Sequence, residues 1–309
     1  MKAITINEFG TQPALHTDLP SPKPGRNEVL VRVRASSVNP VDNAIAGGML
    51  KDMVEHEFPI TLGRDYAGVI EQTGTDVTRF SVGDEVFGFI PGMSPTVHAG
   101  SWAELTVVPE STSIARSPAG IDLTRAGAAP LAGITATNAI DALALAQGDT
   151  LLIVGATGGV GSFALQLATA AGATVIAPAL PEDEDYLRAL GVTDVLPRAG
   201  DVAAAVRQRY PDGVDALLDT VSYTPGAYDA ALKDGARVAS TNNAAGEGPG
   251  RSNLMATPTT DNLQRLAHLL DTGALQVHIQ QTYPLDQAAA AMNALATTHT
   301  RGKLALHVP

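Results

Sequence analysis

Three glycines spaced three residues apart follow a short apolar stretch in the middle of the chain. The segment TLLIVGA leads into Gly155-Ala156-Thr157-Gly158-Gly159-Val160-Gly161, and the helical pattern SFALQLATAAG follows. A strand that turns through glycines into a helix lets the backbone approach a pyrophosphate, which then lies at the positive end of the helix. The spacing is G-x-x-G-x-x-G rather than G-x-G-x-x-G, and glycines also serve ordinary turns. Because a strand and a helix flank the turn, we interpret residues 155–161 as a dinucleotide-binding site.

The residues expected to contact the adenosine ribose give opposing signals. An acidic side chain about 20 residues beyond the turn would hold the ribose 2′-hydroxyl of NAD, but the strand ATVIAPA ends at Ala179. This argues against a strong NAD preference. The acids at 182–185 disfavour a 2′-phosphate, although they also suit the first turn of a helix, in which Arg188 would be a solvated residue. These residues leave the choice between NADH and NADPH open.

Further candidate cofactor contacts lie at strand ends. The stretches ALLDTV and RVAST are typical of two more buried strands of the same sheet. Parallel sheets open their ligand crevice at the carboxyl ends of the strands. We therefore predict that Thr220, Val221, Ser240 and Thr241 border the cofactor.

The elements that would position these residues differ along the chain. Residues 1 to about 116 contain short strands separated by Gly, Pro and Asn, which predict an antiparallel barrel or sandwich. From Asp122 to about Gly250, helical stretches alternate with buried strands, which predicts a parallel, doubly wound sheet. The predicted helices of this part are GITATNAIDALALA, SFALQLATAAG and PGAYDAALKDG. After residue 260, a helix, a strand, an Ala-rich helix and the closing strand KLALHV are expected to pair back onto the first part.

The composition fits a globular protein of two domains. Of the 309 residues, 45% are hydrophobic and 17% are charged, which excludes a disordered chain. The formal net charge is −12 with no offsetting basic run, so nucleic acid and anionic membrane are poor partners. The absence of cysteine removes disulfides, thiolate zinc sites and cysteine nucleophiles. The stretch MKAITINEFG lacks the apolar core of a signal peptide, and we expect a cytoplasmic protein.

Six local motifs extend this pattern over essentially the whole chain. They are SVNPVD at 37–42, GRDYAGV at 63–69, GDEVFG at 83–88, GSWAE at 100–104, the stretch 131–136 and the glycine turn. Together they resemble the medium-chain dehydrogenase/reductase superfamily, specifically its zinc-independent quinone oxidoreductase-like branch. The resemblance implies an α/β fold with a GroES-like β-barrel catalytic domain at 1–118, a Rossmann domain with a doubly wound parallel sheet at 119–257, and a segment 258–309 that completes the catalytic domain.

The resemblance also implies chemistry without a metal. Zinc-dependent alcohol dehydrogenases of the superfamily have Gly-His-Glu where this chain has Gly63-Arg64-Asp65, and they supply a cysteine ligand earlier in the chain. The seven histidines here show no spacing that would rebuild such a site. His98 is either an acid that faces the substrate or a histidine of a surface loop.

Candidate catalytic residues follow from the same resemblance. The asparagine that matches Asn39 lies near the nicotinamide in the family, and the threonine that matches Thr135 lies under it. Asn39 would donate a hydrogen bond to a developing oxyanion, or it is a turn residue before Pro40. Asp42 is a further catalytic candidate that could equally cap the following helix. Lys303 matches a family position near the cofactor, with an exposed strand-edge lysine as the alternative.

These observations predict NADPH-dependent, zinc-independent reduction of quinones or α,β-unsaturated carbonyls. NADPH is favoured by the resemblance alone, and NADH is not excluded. The family's tyrosine beyond NPVD is missing, and Met49 and Leu50 would form an apolar pocket wall. The alternatives are an NADH-using carbonyl reductase and a non-catalytic NADPH-binding sensor. We expect a homodimer, as in other family members, and leave open whether loop 91–100 closes on a substrate.

Overall fold

The computed structural model describes residues 1–91 and 96–309. The elements of the first part are β1 (Ala3–Ile6), β2 (Ala14–His16), β3 (Glu28–Ser37), α1 (Pro40–Ala46), β4 (Glu55–His56), β5 (Ile60–Thr61), β6 (Asp65–Thr73), β7 (Glu85–Phe89), β8 (Thr96–Val97), β9 (Leu105–Pro109), β10 (Ala115–Arg116) and α2 (Leu123–Ala128). Those of the middle part are α3 (Pro130–Leu143), β11 (Thr150–Val154), α4 (Gly159–Ala170), β12 (Thr174–Ala179), α5 (Glu184–Ala189), β13 (Asp194–Pro197), α6 (Val202–Arg209), β14 (Val214–Asp219), β15 (Leu232–Ser240) and β16 (Arg251–Asn253). The last part contains α7 (Thr260–Asp271), β17 (Ile279–Pro284), α8 (Ala288–Thr297) and β18 (Lys303–His307).

The chain forms two compact units. Unit 1 comprises Met1–Leu131, Thr257–Gly273 and Val277–Pro309, and unit 2 comprises Ala132–Ala256 and Ala274–Gln276. Residues 119–131 therefore belong with unit 1, beyond the domain boundary expected at 118, because α2 packs against β3, β6 and β18. None of the described helices is long and apolar enough to cross a membrane.

Unit 2 contains a parallel sheet of six strands in the order β13-β12-β11-β14-β15-β16. The strand order reverses at β11, the first strand of the sheet in the chain, and ligands of doubly wound folds bind beside such a reversal. Apolar side chains of β11, β12 and β14 are fully buried, as expected for strands covered on both faces. The predicted doubly wound parallel sheet is confirmed.

Unit 1 contains a larger, mostly antiparallel sheet. Its strands run in the order β10-β7-β6-β3-β18-β17, and β9 also pairs with β3. The last strand, β18, pairs antiparallel with β3 and places Ala305 opposite Ser37. The C-terminal segment thus returns to the first part of the chain and fills a central position in its sheet. The core of this unit includes Trp102, the only tryptophan of the chain.

One predicted helix is wrong. PGAYDAALKDG forms a 3-10 turn at Asp229–Ala231, and β15 begins at Leu232. The alanines have helical spacing, but Gly226 and Gly235 both adopt positive φ angles, and Leu232 pairs with Val214 in the parallel sheet. Tertiary pairing thus overrides the local helical pattern.

The helix expected at 133–146 begins three residues earlier, at Pro130. Proline is favoured at a first helical position because it has no N–H to satisfy there. The next backbone N–H, that of Leu131, donates to the carboxylate of Asp65 at 2.7 Å. This cap comes from a distant strand, so no local sequence signal announces it.

Candidate active site

Asn39 lies at the junction between β3 and α1 in unit 1. It is the residue that precedes the first helical turn, and Pro40 opens the helix. The carboxylate of Asp42, the third residue of α1, accepts a hydrogen bond from the Asn39 backbone N–H at 2.7 Å. Asp42 therefore stabilises the start of α1 from within the helix, while the cap position predicted for it belongs to Asn39.

The carboxylate of Asp65 is the centre of a buried polar cluster in unit 1. Its Oδ2 atom accepts hydrogen bonds from Ser37 Oγ at 2.6 Å and from Asn39 Nδ2 at 2.7 Å. Its Oδ1 atom accepts the Leu131 N–H that opens α3. Lys303 Nζ lies 3.6 Å from Oδ2. Donors thus surround both oxygens of this fully buried carboxylate.

Lys303 belongs to the same cluster. Its ammonium group donates to Asn39 Oδ1 at 2.5 Å and approaches Val38 O at 3.4 Å. The exposed strand-edge alternative for Lys303 is wrong: β18 lies between β3 and β17, and the side chain is only 4% exposed. Burial lowers the pKa of Lys303, while the charges of Asp65 and Asp42 oppose that effect. Whether Lys303 contacts a cofactor stays a prediction.

Arg64 and Asp42 are two further buried charged groups of unit 1, and their hydrogen bonding is less complete. Arg64 is 1% exposed and donates to Thr61 O at 3.1 Å and to Pro91 O at 3.5 Å. Arg64 Nε and Asp42 Oδ1 have no hydrogen-bond partner among the described residues. Burial raises the pKa of Asp42 to about 7, and the positive charge of Arg64 opposes that rise. Burial also lowers the pKa of Arg64. An aspartate in this setting changes its charge near neutral pH.

The glycine turn of unit 2 has one open side. A Cβ atom at Gly155, where φ is +89°, would lie 2.2 Å from Thr220 Oγ1, and one at Gly161 would lie 2.1 Å from Gly155 O. These two glycines are required by the packing of the turn itself. At Gly158 the nearest atom would be Gly155 O at 3.6 Å, an ordinary contact. The open position at the middle glycine is where another group can approach the backbone.

The helix that starts at this turn is suited to bind an anion. Gly158 is the residue before α4, no side chain caps the helix, and its first turn carries no acid. The first N–H groups of a helix have no partner within the helix, and their dipoles attract negative charge. The residues of the turn therefore fit the pyrophosphate of a nicotinamide dinucleotide.

Thr220 and Val221 follow β14, which pairs with β11, the strand before this turn. Ser240 ends β15 and Thr241 follows it, and β15 pairs with β14. Thr220 Oγ1 donates to Val154 O at 2.9 Å, so Thr220 holds the turn against the end of β11. Ser240 is buried, and its Oγ accepts the N–H groups of Asn242 and Ala244 at 3.0 Å each. Val221 is 54% exposed, and Thr241 is half-buried. Two of the four residues thus shape the strand ends, and the side chain of Val221 is accessible to a ligand.

The end of β12 carries the buried Ala179, and the acids that follow lie in short helical turns. Glu184 and Asp185 occupy the first turn of α5, as the helix-dipole interpretation predicts. Arg188 pairs with Glu184 at 2.6 Å and is half exposed, which matches a solvated residue. The residue at the end of β12, where an acid would bind a ribose 2′-hydroxyl, is thus Ala179.

Two further candidates are Thr135 and His98. Thr135 is buried on α3 in unit 2. His98 is exposed, and its Nδ1 lies 2.9 Å from Glu57 O, so it matches the surface-loop alternative. Residues 92–95 of loop 91–100 lie outside the described residues, so whether this loop closes on a substrate stays open.

The positions that match the zinc ligands do not suit a metal. An arginine side chain carries no lone pair for zinc, and hydrogen-bond donors surround both oxygens of Asp65. Within residues 1–91 and 96–309, no group of three or more His, Cys, Asp or Glu side chains could hold a metal ion. Zinc-independence itself stays a prediction.

Sequence reasoning missed the central role of Asp65 and Ser37, which it treated only as parts of two motifs. One signal was available: Ser37 ends an apolar strand and Asp65 begins another. Polar residues at such positions tend to be buried, and buried polar groups need hydrogen-bond partners. Their convergence on Asn39 and Lys303 depends on the pairing of β3 with β6 and β18.

Two family models match separate parts of the chain. The alcohol dehydrogenase GroES-like domain matches residues 25–119, and a model described as zinc-binding dehydrogenase matches residues 190–306. The first match agrees with the GroES-like domain expected at the N-terminus.

Similar proteins cover nearly the whole chain. A chloroplast envelope quinone oxidoreductase homolog from Arabidopsis thaliana is 27% identical over 98% of this chain and 97% of its own length. A human mitochondrial NAD(P)H oxidoreductase is 30% identical over 91% of this chain and 82% of its own length. Among solved structures, the quinone oxidoreductase from Coxiella burnetii has a TM-score of 0.88 at 30% identity and covers 100% of this chain and 99% of its own. That from Pseudomonas syringae has a TM-score of 0.86 at 27% identity, with 99% of both chains covered.

Proposed function

Because the chain belongs to the quinone oxidoreductase-like branch of the medium-chain dehydrogenase/reductase superfamily, we propose that it reduces quinones or α,β-unsaturated carbonyls with NADPH and without a metal. That it is an oxidoreductase follows from its relatives. The cofactor preference, the acceptor class and the metal-free reaction are the parts that we propose.

The observation that carries the proposal is the glycine turn at the start of α4. Gly155 and Gly161 hold the turn tightly, Gly158 leaves one side open, and the uncapped helix presents its N–H groups there. A dinucleotide bound at this turn would supply a hydride. The lack of an acid at Ala179 removes the usual partner of the NADH ribose 2′-hydroxyl, but the acids at 182–185 disfavour a 2′-phosphate, so the preference for NADPH rests on the family resemblance alone.

The residues of unit 1 supply the second part of the proposal. Hydride addition to an electron-poor carbon develops negative charge on the carbonyl oxygen of the acceptor. The amide nitrogen of Asn39 carries two hydrogens. Asp65 accepts one of them at 2.7 Å, and the other remains for a second acceptor. We propose that the other hydrogen stabilises the oxyanion, and that a proton from solvent completes the reduction. Asp42 holds the Asn39 backbone in place through its hydrogen bond to the N–H.

Two alternatives make different predictions. An NADH-using carbonyl reductase would add hydride to the carbonyl carbon, and a sensor would bind NADPH without reducing an acceptor. The packing of the glycine turn is compatible with both, so a measurement of turnover must separate them.

We expect the protein to oxidise NADPH when quinones or enones are supplied under anaerobic conditions. The assay follows the loss of reduced-nicotinamide absorbance with NADPH and, separately, with NADH, after dialysis against a chelator. Turnover that is faster with NADPH and indifferent to the chelator would support the proposal. Faster turnover with NADH, or activity lost with the chelator, would contradict it. Binding of NADPH without any turnover would favour the sensor.

We also propose that the protein is a cytoplasmic homodimer. The edge strand β16 pairs only with β15 among the described strands, which leaves its other side available to a second copy. Light scattering coupled to size-exclusion chromatography measures the mass directly, and a monomeric mass would contradict the dimer.

A further inference from the structure

The side-chain amide of Asn39 lies between two buried groups of opposite charge. Its Oδ1 atom accepts a hydrogen bond from the ammonium of Lys303 at 2.5 Å, and its Nδ2 atom donates to the carboxylate of Asp65 at 2.7 Å. All three side chains are buried. Rotation of the amide by half a turn would place its NH2 group against the ammonium and its oxygen against the carboxylate. Both contacts would then be repulsive in a site that water does not screen.

We propose that Lys303 and Asp65 are positioning residues that fix the direction of the Asn39 amide and so keep one N–H free for the acceptor oxygen. This inference rests on the proposed function, in which Asn39 is the oxyanion donor. It also gives Lys303 a role different from the cofactor contact that the sequence predicts.

The geometry identifies which hydrogen remains available. One Nδ2 hydrogen is used by Asp65, and the second hydrogen bond that Nδ2 makes to a described residue is the long contact with Ser37 Oγ at 3.4 Å. The Ser37 hydroxyl gives its own hydrogen to Asp65 at 2.6 Å. A donor that is held in direction but only weakly engaged can transfer its hydrogen bond to a substrate oxygen without reorganisation.

Exchanging the amide and the carboxylate tests this arrangement. Asn39→Asp alone places two carboxylates side by side, and Asp65→Asn alone leaves a donor–donor contact in every orientation of the two amides, because Lys303 and the Leu131 N–H must both be accepted. In the double variant, the carboxylate at position 39 accepts from Lys303 and from the new amide at position 65. That amide keeps its oxygen towards the Leu131 N–H. All partners are satisfied again once the Ser37 hydroxyl, which donates to Asp65 in the wild type, accepts the second hydrogen of that amide instead.

The expected thermal result is that each single substitution lowers the melting temperature and the exchange restores most of the loss. The expected kinetic result differs, because position 39 no longer carries an N–H: kcat of the double variant falls by about 100-fold or more, and the Kd for NADPH is unchanged. The nearby Ser36→Ala is the control, because within the described part of the chain the hydrogen bonds of Ser36 Oγ run to the Asp65 backbone oxygen at 2.6 Å and to Ser101 Oγ at 3.2 Å, and none runs to the exchanged side chains.

Two results would overturn the proposal. One is an exchange variant whose melting temperature falls by as much as the two single substitutions lower it together, since the two charges would then not orient the amide. The other is an exchange variant with wild-type kcat, since the amide hydrogen would then not be used. Failure of the proposed function looks different: wild-type protein would turn over no acceptor, while the melting temperatures would still report the amide direction.

Lys303→Met provides an independent measurement if the exchange variant does not fold. The substitution keeps an unbranched side chain one atom shorter and removes the charge that holds Asn39 Oδ1. We expect kcat to fall about tenfold with the Kd for NADPH unchanged, because a less fixed donor stabilises the oxyanion less well. A weakened NADPH affinity with unchanged kcat would identify Lys303 as a cofactor contact instead and overturn its positioning role.

Discussion

Replacing Gly158 with valine is expected to abolish NADPH binding while unit 2 stays folded. Gly158 has an ordinary backbone conformation with φ of −75°, and an added Cβ would meet only Gly155 O at 3.6 Å. The side chain would instead occupy the open side of the turn, where the pyrophosphate must reach the N–H groups of α4. Loss of two hydrogen bonds to a charged group corresponds to an affinity loss of roughly 100-fold or more.

Fluorescence titration with NADPH measures the affinity, and circular dichroism establishes that the variant is folded. Two neighbouring variants serve as controls. Gly161→Val is expected to disrupt unit 2, because its Cβ would lie 2.1 Å from Gly155 O. Ser162→Ala removes only a hydrogen bond from Ser162 Oγ to Gly159 O at 3.1 Å, and its affinity for NADPH should match the wild type. A folded Gly158→Val variant with unchanged affinity would contradict the cofactor site.

Asp42→Asn is expected to change how the stability of unit 1 depends on pH. The pKa of Asp42 is raised from 3.8 to about 7 by burial. Between those values the folded state holds a proton that the unfolded state has released, so the wild-type free energy of unfolding falls as pH rises. The slope from this residue is about 1.4 kcal/mol per pH unit. The neutral amide of the variant does not titrate in this range. The free energy of unfolding of the wild type minus that of the variant should therefore fall by several kcal/mol as the pH rises from about 4 to about 7.

Denaturant unfolding followed by the fluorescence of the buried Trp102 reports on unit 1. Asp84→Asn is the matched control in the same unit. The pKa of Asp84 is lowered by its hydrogen bond to Arg116, so its contribution has the opposite sign and is lost as pH falls. That contribution is small because the Arg116 side chain is 62% exposed. If the free energies of unfolding of the wild type and of Asp42→Asn differ by the same amount from about pH 4 to about pH 7, Asp42 is ionised in the folded protein throughout that range, which would contradict the prediction.

The sequence predicts the elements whose signals are local. The glycine turn, with a strand before it and a helix after it, identifies the start of the parallel sheet, and the observed strand order reverses at that strand. The stretch PGAYDAALKDG shows the limit of such signals. Its helical spacing is real, but the pairing of Leu232 with Val214 decides the structure, and that pairing is not local.

The candidate site in unit 1 was only partly predictable for the same reason. Asn39 could be identified from the motif that contains it, yet its partners come from residues 65 and 303, far away in the chain. The stretch Arg301-Gly302-Lys303 before a final strand leaves two interpretations open, a lysine near the cofactor and an exposed strand-edge lysine. Only the central position of β18 in the sheet makes it buried. Sheet order, which periodicity does not encode, determines which polar residues meet.

The transfer of deuterium from NADPH to an acceptor tests the central claim most directly. The substrate pair is an enone and NADPH that carries deuterium at both positions of the nicotinamide C4, in ordinary water and with a chelator present. If the protein adds hydride to an activated alkene, the product carries one deuterium at the β-carbon and a solvent proton at the α-carbon. Deuterium on the carbonyl carbon of an enone, or no reduced product from any enone or quinone, would contradict the account.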